Sequence, residues 1–275
     1  MITNTKDKSL FFFSKIRVGY FYSMISIVLL GAGNVGQHLF EAIKNSKDLQ
    51  LIQWYNRSLS RIKPFENFVP ITDDITALKP AQLYIITVSD DAIRPLSESL
   101  NIEQGLVVHT SGTASIHDLS KKLSRGVLYP LQSFTLGKQI DFSRVPICLE
   151  ALDKKYYTLL EEVAMALGSP YYKINTEQRK VLHLSAVFIN NFGNHLFRIA
   201  HEISDAKSIN FDILKPLIME TAEKVQEMSP YRAQTGPALR GDKKTIKRHL
   251  KLLDESSHKA IYEMLTQSIQ KTHGR

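Results

Sequence analysis

Ile25-Ser26-Ile27-Val28-Leu29-Leu30-Gly31-Ala32-Gly33-Asn34-Val35-Gly36 is the stretch on which the fold turns. Its first half is a near-continuous apolar run of strand length. Its second half has the spacing G-x-G-x-x-G. From Val35 to Lys44 the apolar residues Leu39, Phe40 and Ile43 recur at helical spacing. A strand, a glycine-rich turn and a helix in direct succession form the context of a dinucleotide-binding loop. Gly31 allows the tight turn, Gly33 lets the backbone approach a pyrophosphate, and Gly36 lets helix and strand pack closely. The helix N-terminus offers unpaired N–H groups and a partial positive charge to the phosphates. Gly31, Gly33, Asn34, Val35 and Gly36 are therefore the first cofactor-binding candidates.

The end of the second strand, Leu51-Ile52-Gln53-Trp54-Tyr55, selects among dinucleotides. An NAD site carries Asp or Glu about 20 residues after the loop, on the ribose 2′-hydroxyl. Here the chain reads Asn56-Arg57-Ser58 and no carboxylate stands there. Arg57 can pair with a 2′-phosphate, with Asn56 and Ser58 adding hydrogen bonds, which favours NADP (NADPH). The plainer reading is an ordinary polar turn. Two later strand ends lie on the same edge of an open sheet, where ligands bind. Val88, Ser89 and Asp90 follow one strand, and His109-Thr110-Ser111-Gly112 follows the next. Ser89 and Ser111 are candidates to line the nicotinamide end. Asp90 and Asp91 read equally as helix-capping residues, and His109 reads as either a catalytic or a satisfied core histidine.

Further apolar strands follow at Leu83–Val88, Gly105–His109, Gly126–Tyr129 and around Cys148. Apolar strands separated by helices predict an α/β fold, a Rossmann-type mostly parallel sheet. Beyond about residue 150 the pattern is almost wholly helical apart from a short strand at Tyr171–Ile174. The expected domains are thus a dinucleotide-binding domain over 24–150 and an all-helical C-terminal domain over 151–275. Residues 1–23 precede Met24 and read as a disordered extension or an over-called start.

One long helix is expected over about 176–206. At about 100° per residue, Lys180, His183, Asn190, Asn194, Arg198 and His201 fall on one face. Asn and His are poor helix formers, so a helix lining a cleft explains their use better than helix stability does; a plain wet face is the alternative. If the stripe faces the nicotinamide, His183 is the first candidate to move a proton. Asn190 would orient a substrate or water, Lys180 would be the alternative acid/base or a carboxylate anchor, and Ser111 completes the catalytic set. Farther on, Gln234–Asp242 reads as a loop, with Asp242 capping the next helix.

Composition narrows the class. The single cysteine, Cys148, excludes an intramolecular disulfide and suits a cytoplasmic location. The net charge of +8 includes the cluster Lys243, Lys244, Lys247, Arg248 and Lys251. Without a nucleic-acid-binding module this reads as a solvated face and attraction for anionic ligands, not nucleic-acid binding. Leu10-Phe11-Phe12-Phe13 is too short to span a membrane. The nine histidines show no metal-ligand spacing.

Gly31–Gly36, Asn56–Ser58, Val88–Ile93, His109–Gly112, Tyr129-Pro130-Leu131-Gln132-Ser133-Phe134 and Gln234–Asp242 together resemble a family of NADP oxidoreductases in the broad 6-phosphogluconate dehydrogenase-like superfamily. That family joins an N-terminal Rossmann-like domain to a C-terminal helical domain of unknown function. Pyrroline-5-carboxylate reductase is a more distant relative. The resemblance covers nearly everything after Met24. It implies NADP-dependent redox activity and a homodimer formed through the helical domain. The better-known hydroxyacid dehydrogenases carry a helix lysine followed four residues later by asparagine. Here Lys180 is followed by Leu184 and His183 by Val187, so those catalytic roles do not transfer. Two functions are consistent with the sequence: an NADP-dependent reductase or dehydrogenase of a small, anionic substrate, and a non-catalytic NADP(H)-binding sensor on the same fold.

Overall fold

The computed structural model describes residues 24–253 and 257–274. The expectation for residues 1–23 lies outside them. The chain divides into two compact units, the first ending at Ala186 and the second running from Val187 to Arg275.

In the first unit the described strands form one eight-stranded sheet. They are β1 (Ile25–Leu30), β2 (Leu49–Tyr55), β3 (Ile71–Thr72), β4 (Leu83–Ile86), β5 (Leu106–His109), β6 (Ser124–Pro130), β7 (Ile147–Ala151) and β8 (Tyr171–Lys173). Their order is β3-β2-β1-β4-β5-β6-β7-β8. The first six follow the 3-2-1-4-5-6 order of a doubly wound dinucleotide fold. Each neighbouring pair is parallel except β6 and β7. The chain winds outward from β1 in one direction and returns to start β4 on its other side. A crevice therefore opens between β1 and β4 at their carboxyl ends.

The central strands are buried on both faces, which is why they read as unbroken apolar runs. Ile27, Leu29, Leu83, Ile85, Leu106 and Val108 point into one core, while Val28, Leu30, Tyr84, Ile86 and Val107 point into the other. Helix α1 (Asn34–Lys44) covers the first face with Leu39, Phe40 and Ile43. Its Phe40 stacks on Trp54 of β2 at 4.9 Å, and both rings meet Phe65. Helix α2 (Asp90–Ser99) covers the second face through Ile93. Helix α3 (Lys154–Ala166) joins α1 on the first face through Leu160, Val163 and Ala164.

The boundary expected near residue 150 runs through the sheet. β7 spans that position, and β8 pairs with it through Ile147–Tyr171, Cys148–Tyr172 and Leu149–Lys173. Helix α3, read from sequence as the start of a helical tail, is a crossover between two strands. Helix α4 (Thr176–Ala186) ends this unit.

The second unit opens with a π-helical segment, Val187–Phe192. It continues through α5 (Gly193–Asp205), α6 (Lys215–Glu227), α7 (Pro230–Ala233), α8 (Pro237–Arg240), α9 (Lys243–Leu252) and α10 (Lys259–Thr272). The single helix expected over 176–206 is thus present as a continuous helical run that winds as a π-helix over Val187–Phe192. A π turn holds more residues than an α turn, so the uniform projection that put His183, Asn190 and Asn194 on one stripe does not carry across it. The expected loop 234–242 contains one helical turn, α8, whose first residue Pro237 is already held near helical φ. Asp242 caps α9 as expected, its carboxylate accepting the Thr245 N–H at 3.0 Å. The His249 Nδ1 and the Tyr262 hydroxyl, 2.9 Å apart, tie α9 to α10. No helix among the described residues is long and apolar enough to cross a membrane.

His109 ends β5 with no exposure. The Ser111 N–H donates to its Nδ1 and its Nε2–H donates to the Ser115 carbonyl, both at 3.2 Å. Both ring nitrogens are used in shaping the 111–115 turn, which makes this a satisfied structural histidine. Burial, reinforced by the charge of Arg179, lowers its pKa from 6.5 to about 4. The unfolded chain therefore binds a proton between those values that the folded chain refuses. This contribution to stability is complete above pH 6.5 and is lost as the pH falls toward 4, on the order of 3 kcal/mol in all. Urea titrations at pH 7.5 and 4.5 should show the wild type losing more stability on acidification than His109→Gln; equal losses would place the proton elsewhere.

Candidate functional site

The site begins at the turn after β1. Gly31 has φ +111°, a conformation L side chains rarely adopt. Its carbonyl accepts the Trp54 indole N–H at 2.7 Å and the Thr87 hydroxyl at 3.1 Å. A Cβ on Gly36 would stand 2.6 Å from that hydroxyl and 2.8 Å from the Gly31 carbonyl oxygen. Packing inside the protein thus requires both glycines. Gly33 is different. Its φ of −76° is ordinary, and the nearest atom to an added Cβ would be the Thr87 carbonyl oxygen at 3.6 Å. Nothing inside the fold demands a glycine there, whereas a pyrophosphate lying against the turn does.

Gly33 is also the N-cap of α1. No side chain caps this helix end, and its first turn holds no carboxylate. The first-turn N–H groups are open to an anion. The Asn34 side chain points away from that role, donating to the Phe134 carbonyl at 2.8 Å. Half-buried Val35 packs on the core below. The residues present therefore fit a dinucleotide pyrophosphate.

At the end of β2 the Asn56 N–H donates to the Thr72 carbonyl and its amide donates to the Ser58 carbonyl at 2.8 Å. The Ser58 hydroxyl lies 3.2 Å from that of Ser60. Arg57 is exposed and makes no hydrogen bond or ion pair among the described residues. Arg61, a short helical turn later, is a second exposed guanidinium that the sequence reading did not single out.

The ends of β4 and β5 are joined. Val88 is half-buried, and exposed Ser89 is the N-cap of α2 without using its side chain. Asp90 accepts a short hydrogen bond from the Thr113 hydroxyl. Ser111 accepts N–H bonds from Thr113 and Ala114 at 3.0 and 2.9 Å, so its oxygen is committed to its own turn.

Helix α4 brings His183 to this turn. A Cβ added to Gly112 would lie 2.5 Å from His183 Nδ1. The same nitrogen is 3.1 Å from the hydroxyl of Tyr129 on β6. One helical turn earlier, Arg179 is fully buried and pins α4 down. Its Nη1 donates to Glu150 of β7 and its Nη2 to the Ala114 carbonyl, each at 2.5 Å. The Thr176 hydroxyl donates to the same Glu150 carboxylate at 2.9 Å. Removing one partner of such a buried pair typically costs about 3–5 kcal/mol.

Lys180 is 44% exposed and bonded to Glu177 at 2.9 Å. Asn190 lies exposed in the π segment of the second unit, and Arg198 pairs with Glu202 there. Cys148 is 2% exposed, and burial pushes its thiol up to about 11, which leaves it inert. No group of His, Cys, Asp and Glu among the described residues could hold a metal ion. The sequence reading missed Tyr129, Gly112 and the Arg179–Glu150 pair as parts of the site. A tyrosine at the carboxyl end of a parallel strand was the available signal for the first; nothing in the spacing marked the others.

The family described as a domain of unknown function, DUF2520, matches residues 145–269. No curated protein matches the chain. A crystal structure of a Bacteroides fragilis protein assigned as an NADP oxidoreductase is similar at 35% identity, with a TM-score of 0.81, over 90% of this chain and 98% of that one. An imine reductase from Myxococcus stipitatus in complex with NADP+ shares 15% identity and a TM-score of 0.67 over 90% and 93% of the two chains. A 1-pyrroline-5-carboxylate reductase from Streptococcus pyogenes shares 14% identity and a TM-score of 0.57 over 92% and 99%. The last two likenesses show the fold. At the identity and coverage of the first, the chain belongs to the same family as the Bacteroides fragilis protein, a Rossmann-like domain followed by a helical domain of unknown function.

Proposed function

We propose that this protein is an NADP-dependent oxidoreductase that transfers a hydride to or from a small, anionic substrate. The observation that carries the reading is the Gly31–Gly36 turn at the β1–β4 crevice, with Arg57 exposed and unpaired at the neighbouring strand end. Gly33, Asn34 and Val35 would present backbone N–H groups to the pyrophosphate, and Arg57 with Ser58 would take the 2′-phosphate. Val88, Ser89 and Asp90 would border the nicotinamide side. The net charge of +8 favours an anionic substrate through long-range attraction.

When bound, the reduced cofactor supplies a hydride to the substrate carbon. His183 would supply the matching proton from Nε2 to the substrate heteroatom, which holds the electron pair released from its double bond. A histidine suits that task near neutral pH. Ser111 would shape the turn against which the nicotinamide lies, and Asn190 remains a candidate to orient substrate. A cytoplasmic location fits the one buried cysteine.

The second unit exposes Phe188, Ile189, Ile213 and Leu217 at 62, 82, 70 and 61%. Exposed apolar residues on this scale support a homodimer through the helical domain.

Arg57→Ala should weaken NADPH roughly 10- to 100-fold, the worth of one charge-assisted pair, while NADH changes little. Cofactor fluorescence titration reads both, and equal weakening would remove the NADP assignment. His183→Gln should lower turnover about 100-fold or more against whichever small carbonyl or imine compound oxidises NADPH fastest, with NADPH affinity kept. Unchanged turnover would strip His183 of its role. Light scattering should give twice the 31.3 kDa chain mass, and Ile189→Glu should yield monomer; a monomeric wild type would refute the dimer.

A further inference from the structure

We infer that Gly112 and Tyr129 form a seat for His183 that leaves Nε2 as its exchanging nitrogen, making Tyr129 a positioning residue for proton transfer. This rests on the proposed role of His183.

The seat has a steric half and a hydrogen-bonding half. Gly112 does not take a left-handed φ, so its backbone is one that other residues adopt. What a side chain lacks there is room. An added Cβ would lie 2.5, 2.8 and 3.0 Å from Nδ1, Cγ and Cβ of His183. The imidazole therefore rests directly on the backbone of the β5 turn. Opposite, the Tyr129 ring meets the imidazole edge-on at 64°, and its hydroxyl stands 3.1 Å from Nδ1. Turning the ring over would put a carbon at that hydroxyl and lose the bond.

A hydroxyl is both donor and acceptor. When His183 rests neutral with its hydrogen on Nε2, the Tyr129 O–H donates to Nδ1. When His183 is an imidazolium, Nδ1–H donates to the Tyr129 oxygen. One arrangement of heavy atoms thus serves both states, and the ring need not move as the proton arrives and leaves. In the reducing direction the Nε2–H bond of the imidazolium breaks and a bond to the substrate heteroatom forms. This leaves a transient neutral ring with its hydrogen on Nδ1. A proton from water to Nε2 restores the imidazolium, and the neutral ring at rest is the other tautomer, Nε2–H, to which Tyr129 donates.

Tyr129 keeps its own hydrogen throughout. Burial, with Cys148 beside it, pushes the phenol up to about 12 despite the opposing charge of Arg179. The other charged groups around the seat are committed elsewhere. Arg179 holds Glu150, Asp90 holds Thr113, and Lys180 holds Glu177 on the outer side of α4. His109 spends both nitrogens in the turn beneath. Nε2 of His183 has no hydrogen-bond partner among the described residues. Tyr129 is 9% exposed, so its hydrogen has little water to turn to.

The test is nitrogen NMR of the imidazoles in full-length protein saturated with NADP+, at a pH well above histidine's ordinary range, with His183 assigned by loss of its signal in His183→Gln. Neutral wild-type His183 should be a single Nε2–H tautomer with Nδ1 hydrogen-bonded. Tyr129→Phe should return it toward the mixture of a free imidazole, and Gly112→Ala should shift both ring nitrogens. A wild-type Nδ1–H tautomer, or shifts unchanged in Tyr129→Phe, would overturn the seat. Cofactor affinity, titrated on the same samples, is expected within twofold of wild type in both variants. Wild type that fails to bind NADP+ at all would sink the functional reading and leave the tautomer result standing alone.

Discussion

The carbonyl of Gly31 is the point on which the first unit depends. It takes one hydrogen bond from an indole on β2 and another from a hydroxyl just past β4. Those strands flank β1 on either side. The turn is thereby held from both neighbours in a backbone conformation open only to glycine. The direction of α1 follows, and with it the aim of the uncapped N–H groups at its start. The indole that fixes the turn is also the ring on which Phe40 stacks. The shape of the glycine turn and core packing therefore share one side chain.

A second arrangement sets the other side of the site. Polar groups are buried around the ends of β5 and β7, where most of their hydrogen-bonding atoms are taken up by one another, the Arg179 Nε being left without a partner among the described residues. Arg179 uses Glu150 and a backbone carbonyl; His109 uses its own turn. Burying these groups is costly unless every partner is in place. The result is a helix, α4, locked to the sheet at one turn and presenting His183 at the next.

Much of this was legible because central strands of a parallel sheet are apolar throughout and glycine turns carry fixed spacing. The strand ends before Asn56 and Ser111 fell where periodicity put them, and the strand read to Val88 stops two residues sooner, at Ile86. The domain edge near residue 150 did not, since a crossover helix between β7 and β8 looks the same in sequence as the first helix of a bundle. The stripe read from Lys180 to His201 assumed a constant pitch, and six residues within it wind as a π segment that such a pitch cannot foresee. Arg179 was hidden because a charged residue in an amphipathic pattern reads as solvent-facing. The Tyr129–His183 contact joins residues 54 apart on different elements, a pairing that only tertiary packing creates.

The tie between Asn34 and Phe134 has a consequence for how the site is made. It spans 100 residues, as does the bond from His38 Nε2 to the Lys138 carbonyl. The chain from Met24 to Thr87 holds every group that clamps the glycine turn. The segment that tethers the start of α1 arrives only after β6 has docked. Contacts of such sequence separation form slowly, because the loop must close before any bond rewards it. A growing chain thus shapes its glycine turn early and anchors it late.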